Sequence, residues 1–422
     1  MSVIQASART QRSFGQAFRP CPEWRTLGLL IVGIAALLSA CSPARTFEAR
    51  DVLSDLAAGA GPSRLKDATA EPRRHAVAYR VAERLHEADI YEPARPSGAG
   101  LVLVAGLAPE GKDDPRLVAF ARTLARARFR VLVPDIPTMR AQKARPSDIR
   151  EIADAVAYLG AQDDLAASPS EGLIAVSYAV GPAVLAALEP DTRNKIAFIT
   201  AIGGYYDIEA VVTFFTTGYF QEPGRAEWLH RTPNEYGKWV FALSNADRLR
   251  WPRERDLIQR ITKRKMANPD ADVADLAAAL EEEGRAVYAL LTNKQPQEVP
   301  RLIAELPEAK RVDMQSLDLR HHDLSAVPGQ LILVHGRDDP IIPYTESERL
   351  AAALPDKSSL YLAGSLTHVE LGASGLWDML TLLRAVYELL EERDAIGSHA
   401  TALDGEKRVT HSPESNAIGT RS

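Results

Sequence analysis

The stretch Gly172-Leu-Ile-Ala-Val-Ser177-Tyr-Ala-Val-Gly181-Pro-Ala-Val-Leu-Ala-Ala187 decides how the chain is read. Leu173 to Val176 is a short apolar run suited to a buried strand, and the residues after Ser177 are small and suited to a closely packed helix. Ser177 falls on the sharp turn between them. Such a turn exposes the hydroxyl and aims the free N–H groups of the following helix at the same spot. Ala175 and Ala179, two places either side of Ser177, are small enough to let strand and helix approach each other.

Working outward, the same rhythm of strand and helix recurs. His75 to Val81 and Arg84 to Tyr91 alternate at period two, as half-exposed strands do. Leu101 to Val104, Arg130 to Pro134 and Lys195 to Ile202 are apolar runs of the kind buried in parallel sheets. Asp114-Pro115 supplies an N-cap and a first-turn proline for a helix to about Arg128, and Ser147 is placed to cap a helix through Tyr158. From Ile208 to Gln330 the alternation stops, and helical patterns such as Asp272 to Leu291 and Val299 to Leu306 replace it. The sheet pattern resumes with Leu331 to Gly336, a helix from Thr345 to Ala353, the strand Ser359 to Leu362 and a last helix over Leu376 to Glu391. Strands alternating with helices predict an α/β fold, a mostly parallel doubly wound sheet with an inserted helical cap. No internal repeat is present.

Composition bounds the rest. The 422 residues are 46% hydrophobic and 25% charged, ordinary globular material with enough length for a large core. A net charge of −6 argues against a general nucleic-acid binder. The two cysteines, Cys21 and Cys41, both lie near the N-terminus, so the body has neither a disulfide framework nor zinc-site spacing. Leu27 to Ala40 is uncharged and follows Arg19 and Arg25; it is short for a membrane span and suits a signal-peptide core. An uncleaved anchor is the alternative. The ending Leu38-Ser39-Ala40-Cys41 resembles the lipobox of bacterial lipoproteins. That resemblance implies a signal peptide over 1–40, a lipidated Cys41, and attachment to the bacterial cell envelope, with Ser42 fitting export to the outer membrane.

The expected divisions are therefore a lipidated N-terminus and tether over 41–72, with one short helix at Asp51 to Ala58, and sheet core over 73–207. The cap follows over 208–330, more sheet core over 331–392, and a disordered tail over 393–422.

Further positions fit the chemistry that an exposed serine invites. A hydroxyl nucleophile needs a base to take its proton and an acid to hold the base's tautomer. In Leu333-Val-His-Gly336-Arg-Asp-Asp339-Pro-Ile-Ile-Pro343 a strand runs into a tight loop carrying two carboxylates, Asp338 and Asp339. His368, in Gly364-Ser-Leu-Thr-His368-Val-Glu, follows the last strand with room for one helix and one strand after Asp339. His335 precedes the acid and His321-His322 lies in the insertion, so neither fits that order. Backbone donors for a developing oxyanion are expected from Tyr178, directly after the serine, and from Leu107 in Ala105-Gly106-Leu107-Ala108.

The set of oxyanion loop, elbow, Gly-x-x-Asp loop and late histidine resembles the α/β-hydrolase fold family over about residues 73 to 392. Alanines at 175 and 179 stand where the family usually has glycines, and Ala105 stands where a histidine often precedes the oxyanion glycine. The resemblance implies a catalytic triad of Ser177, Asp339 and His368, without metal or organic cofactor. The expected function is a serine hydrolase acting on a small-molecule carboxylic ester. A peptidase or acyltransferase on the same triad, and a catalytically silent ligand-binding lipoprotein, are the alternatives. The absence of propeller-like repeats before the catalytic body counts against the oligopeptidase arrangement. Oligomeric state is not legible.

Three weaker signals accompany these. Glu110, Asp113 and Asp114 cluster after the oxyanion loop, but Asp114 is already accounted for as a cap. Eight basic residues between Arg248 and Lys265 suit a solvated helix face, or else an anionic headgroup or substrate. The aromatic group Tyr205, Tyr206, Phe214, Phe215, Tyr219 and Phe220 suits cap-to-core packing, an apolar acyl pocket, or both.

Overall fold

A computed structural model describes residues 42–96, 99–162, 171–364, 366–367, 370–371 and 375–410. The chain divides into two units, residues 1–46 and 47–422. In the first, only Ser42 to Thr46 are described; they open the helix Pro43–Ala58, with the Thr46 N–H donating to Ser42 O at 3.0 Å.

The fold of 47–422 is organised by an eight-stranded sheet. Its strands are β1 (Arg73–Val81), β2 (Arg84–Glu92), β3 (Gly100–Val104), β4 (Arg130–Asp135), β5 (Glu171–Val176), β6 (Ile196–Ile202), β7 (Gln330–Gly336) and β8 (Ser358–Ala363). They lie in the order β1-β2-β4-β3-β5-β6-β7-β8. β1 and β2 form an antiparallel hairpin, and β2 meets β4 antiparallel; every pairing from β4 to β8 is parallel. The order reverses between β4, β3 and β5, which opens a crevice at the carboxyl ends of β3 and β5. This is the α/β-hydrolase fold.

Both faces of the central strands are covered, so they carry continuous apolar runs rather than alternation. On one face Leu173, Ala175, Ile199 and Leu333 pack with the helices α1 (Ser147–Leu159) and α2 (Val180–Ala186). On the other, Ile174, Phe198 and Val334 pack with Leu117 and Leu124 of the helix Pro115–Arg126 and with Val386 and Leu389 of the last helix. Asp114 caps Pro115–Arg126 through the Arg116 N–H at 2.8 Å, as the sequence predicts. Ser147 does not cap α1. Pro146 stands at that position without a side-chain bond, and Ser147 is the first helical residue.

Between β6 and β7 the chain builds a helical cap with its own apolar core, centred on Trp239, Leu257, Ile261, Leu290, Val299 and Leu302. Two features differ from the sequence reading. Asp272 to Leu291 is broken into Ala274–Ala277 and Glu282–Thr292, because Glu254 Oε1 accepts from the N–H groups of Glu281 (3.1 Å) and Gly284 (2.7 Å) at the break. A two-residue ladder, Tyr219–Phe220 with Leu229–His230, interrupts the helices. The insertion rejoins the sheet's core early, through Leu319, Leu324 and Val327.

The ends depart most from expectation. The segment expected as a tether is the helix Pro43–Ala58 followed by Arg64–Ala68, and Ala49, Val52 and Leu65 are buried in the core beneath the sheet. Asp55, also buried, accepts from Lys66 at 2.5 Å and from Thr123 Oγ1 at 2.6 Å. The last helix runs from Leu376 to Thr410, where an unstructured tail was expected from 393. Arg393 is fully buried between Glu48 and Ala127 O, and Ile396 is buried beside it, so the helix has partners where the sequence shows only polarity. Among the described residues no helix is long and apolar enough to cross a membrane.

Candidate active site

Ser177 ends β5 and opens a single 3₁₀ turn, Ser177–Ala179, that feeds α2. Its φ is +57°, a left-handed conformation that costs a non-glycine residue about 1–2 kcal/mol. Strain of this kind persists only where surrounding packing enforces it. Ala175 and Ala179 are buried in the core on either side, so their methyl groups fit where strand and helix meet. The tight contacts lie elsewhere. A Cβ on Gly181 would collide with the Tyr205 ring and hydroxyl, and one on Gly106 would come within 3.2 Å of both Ser177 Cβ and Val176 O.

Gly106 therefore brings the loop after β3 against Ser177, with Leu107 next in the chain. Both loops line the same cavity. Tyr178 is pinned from its far end. Its hydroxyl donates to Asp148 Oδ2 at 2.8 Å and accepts from the Arg145 N–H at 2.9 Å. Burial, and then the nearby Asp148 carboxylate, hold the Tyr178 phenol well above its usual pKa, so it remains a donor. Burial likewise raises Asp148.

The two loop carboxylates after β7 have opposite surroundings. Asp339 is fully buried, and its Oδ1 accepts from the N–H groups of Ile341 (2.7 Å) and Ile342 (3.0 Å). Asp338 is exposed and pairs with Arg231 at 3.2 Å. The buried His335 braces this loop from β7. Its Nε2 meets Ile342 O at 3.0 Å, which makes Nε2 the donor, and Nδ1 meets Ser347 Oγ at 2.6 Å. The Nε2 also stands 3.4 Å from Asp339 Oδ2. The cap grips the loop too, through the Asn234 N–H to Pro340 O at 3.0 Å and through Arg231 to Arg337 O.

His368 and Cys41 lie outside the described residues. The pairs flanking His368, Leu366–Thr367 and Glu370–Leu371, form a short antiparallel ladder, and the first of them contacts β7. The structure thus brings together Ser177, Tyr178, Gly106 and Leu107 around one cavity, with Asp339 on the adjoining loop whose Ile341 and Ile342 line it.

That cavity has a volume of about 980 Å³ and is mainly apolar. Val212, Phe215, Leu291, Leu306 and Met314 of the cap contribute to its wall. The aromatic group splits between the two expected roles. Tyr205 and Phe215 line the cavity, whereas Phe214 and Phe220 pack edge to face at 5.6 Å and close on Tyr344. The acidic cluster after the β3 loop is engaged by cations: Arg74 and Lys112 hold Asp113, and Arg116 holds Asp114.

One part of the cavity wall is polar, and sequence reasoning missed most of it. Arg145 donates to Asn245 Oδ1 and Asp247 Oδ1, both at 2.7 Å, and Lys143 holds the other Asp247 oxygen at 2.7 Å. Arg248 forms a two-pronged pair with Asp313 at 2.6 and 2.9 Å. Lys310 donates to Asn245 O at 2.9 Å. Only Arg248 carried a signal, as the first member of the basic run. The rest of that run is largely surface: Arg253, Arg260 and Arg264 are exposed and pair with Glu281, Asp256 and Asp275.

No protein-family model matches the chain, and no curated protein sequence does. Solved structures resemble it at low identity. A puromycin-hydrolyzing peptidase of Mycobacterium tuberculosis is 17% identical with a TM-score of 0.42, over 77% of this chain and 39% of its own. The chain therefore spans well under half of that peptidase's length. A 2,6-dihydroxy-pseudo-oxynicotine hydrolase is 12% identical with a TM-score of 0.41, over 78% and 68%. A dienelactone hydrolase from Anabaena variabilis is 14% identical with a TM-score of 0.38, over 76% and 95%.

Proposed function

We propose that this chain is a serine hydrolase that cleaves carboxylic esters through an acyl-enzyme. The observation that carries the reading is the strained Ser177 on its strand-to-helix turn, facing a cavity with Gly106 of the upstream loop against it. In this mechanism His368 removes the Ser177 proton as Oγ attacks the ester carbonyl, and Asp339 orients His368. The N–H groups of Leu107 and Tyr178 hold the oxyanion that forms. Collapse expels the alcohol, which takes its proton from His368, and a water activated by the same histidine then releases the acid. The amides of Ile341 and Ile342 hold Asp339 Oδ1 in place, while Asp338 on the surface serves the cap contact.

The test combines a fluorophosphonate probe with p-nitrophenyl esters of graded chain length. Wild-type protein is expected to label and to hydrolyse, and Ser177→Ala to lose labelling and at least about 10³-fold in kcat. Asp339→Asn is expected to lose roughly 10²–10⁴-fold, against little change for Asp338→Asn. Equal labelling of Ser177→Ala and wild type, or no labelling of folded wild type, would sink the proposal.

A further inference from the structure

The polar part of the cavity wall does not balance its charge. Lys143, Arg145, Arg248 and Lys310 converge on two carboxylates, Asp247 and Asp313. Lys143 pairs with Asp247, Arg248 with Asp313, and Arg145 with Asp247 at 2.7 Å and with Asp313 at 3.9 Å. Among the described residues, Lys310 has no carboxylate within ion-pair distance; its one partner is the neutral carbonyl of Asn245. An ammonium largely withdrawn from water is costly unless an anion offsets it, and among the described residues no other protein group accepts from the Lys310 side chain. Lys310, Arg145 and Arg248 all line the same cavity as Ser177, and the rest of its wall is mainly hydrocarbon. Arg145 is also tied to the site directly, since its N–H holds the Tyr178 hydroxyl.

We infer that Lys310, framed by Arg145 and Arg248, is an anion-binding subsite that selects acyl esters whose apolar acyl chain ends in a carboxylate. Among the described residues Lys310 is the one of these four cations without a carboxylate at ion-pair distance, so a ligand's terminal carboxylate would serve as its counter-ion. The cavity's mainly apolar wall accommodates the chain. This deepens the ester-hydrolase reading and rests on it for the identity of the reacting end.

Protonation sets a pH dependence. Burial first, and then Arg145, bring the Lys310 ammonium down to about 8, with Arg248 acting in the same direction and Asp247 and Asp313 opposing. Asp148 faces the same loop from behind Tyr178. Lys310 is therefore charged below about pH 8 and loses its charge above it.

The test compares p-nitrophenyl half-esters of α,ω-dicarboxylic acids with p-nitrophenyl esters of monoacids of equal chain length. At pH 7 the wild type is expected to favour the half-ester at least tenfold in kcat/KM, mainly through KM, and to lose that preference as pH rises through 8. Lys310→Met is expected to lower the ratio at least tenfold, Lys310→Arg to restore it, and the exposed Lys294→Met to leave it unchanged. Calorimetric binding of a long-chain dicarboxylate to wild type and Lys310→Met decides the subsite even if no ester is hydrolysed. Equal binding to the two proteins, or a ratio that Lys310→Met does not move, would overturn it. Absence of all hydrolysis together with Lys310-dependent binding would instead remove the catalytic reading and leave the subsite standing.

Discussion

Ser177 holds its φ of +57° because β5 and α2 are both locked into the core on either side of it. Glycine takes that conformation without the Cβ penalty. Ser177→Gly is therefore expected to be more stable than Ser177→Ala by about 1 kcal/mol, read by urea denaturation of both variants. Equal midpoints would mean that the turn stores no strain. At this scale much was legible beforehand. The small residues around Ser177 and the Gly-x-x-Asp spacing mark turns, and turns are local. Lys310, Arg145 and Asn245 were not legible, because they come from three segments that share no period and meet only in the folded chain. His335 was set aside on chain order, and its bracing of the Asp339 loop depends on a Ser347 twelve residues on, a pairing that no local pattern announces.

The helix Thr345–Ala353 follows the acid loop and carries Glu346 back toward the start of the cap. Glu346 is fully buried and accepts from the N–H groups of Tyr206 (3.1 Å) and Asp207 (2.7 Å), at the point where the chain leaves β6. Burial first, and then Asp207, raise its carboxyl from 4.5 to about 7. The folded state thus binds this proton more tightly than the unfolded chain does. The stabilisation is complete below about pH 4.5 and is lost as pH rises through about 7. Between those limits the wild type is expected to lose about 3 kcal/mol relative to Glu346→Gln, measured as unfolding free energy against pH. Parallel curves for the two proteins would show that folding does not raise the Glu346 carboxyl. Among the elements, the sheet strands were legible because burial on both faces writes them as apolar runs. Pro43–Ala58 was hidden because only Ala49, Val52 and Asp55 are buried along it, and one of those three is charged.

Across the whole molecule, the last helix and the helix Pro43–Ala58 are joined by Arg393, which donates to Glu48 at 2.5 and 2.9 Å and to Ala127 O at 2.8 Å. A fully buried cation reads as a polar tail in sequence, which is why the end of the fold was placed too early. Arg393→Met is expected to cost about 2 kcal/mol, below the cost of breaking a fully buried pair because Glu48 is partly exposed. An unchanged denaturation midpoint would show that this joint contributes nothing. The placement of the cap between β6 and β7 has a consequence in time. These neighbouring strands are separated by residues 203–329, so a chain emerging N-terminus first presents β6 well before its partner exists. At roughly 5–20 residues per second the wait is on the order of ten seconds. Throughout it, the apolar edge Ile196–Ile202 lies open to any other strand. Productive biogenesis of this protein therefore depends on the cap's helices collapsing early enough to shield that edge, or on a holding chaperone that does so for them.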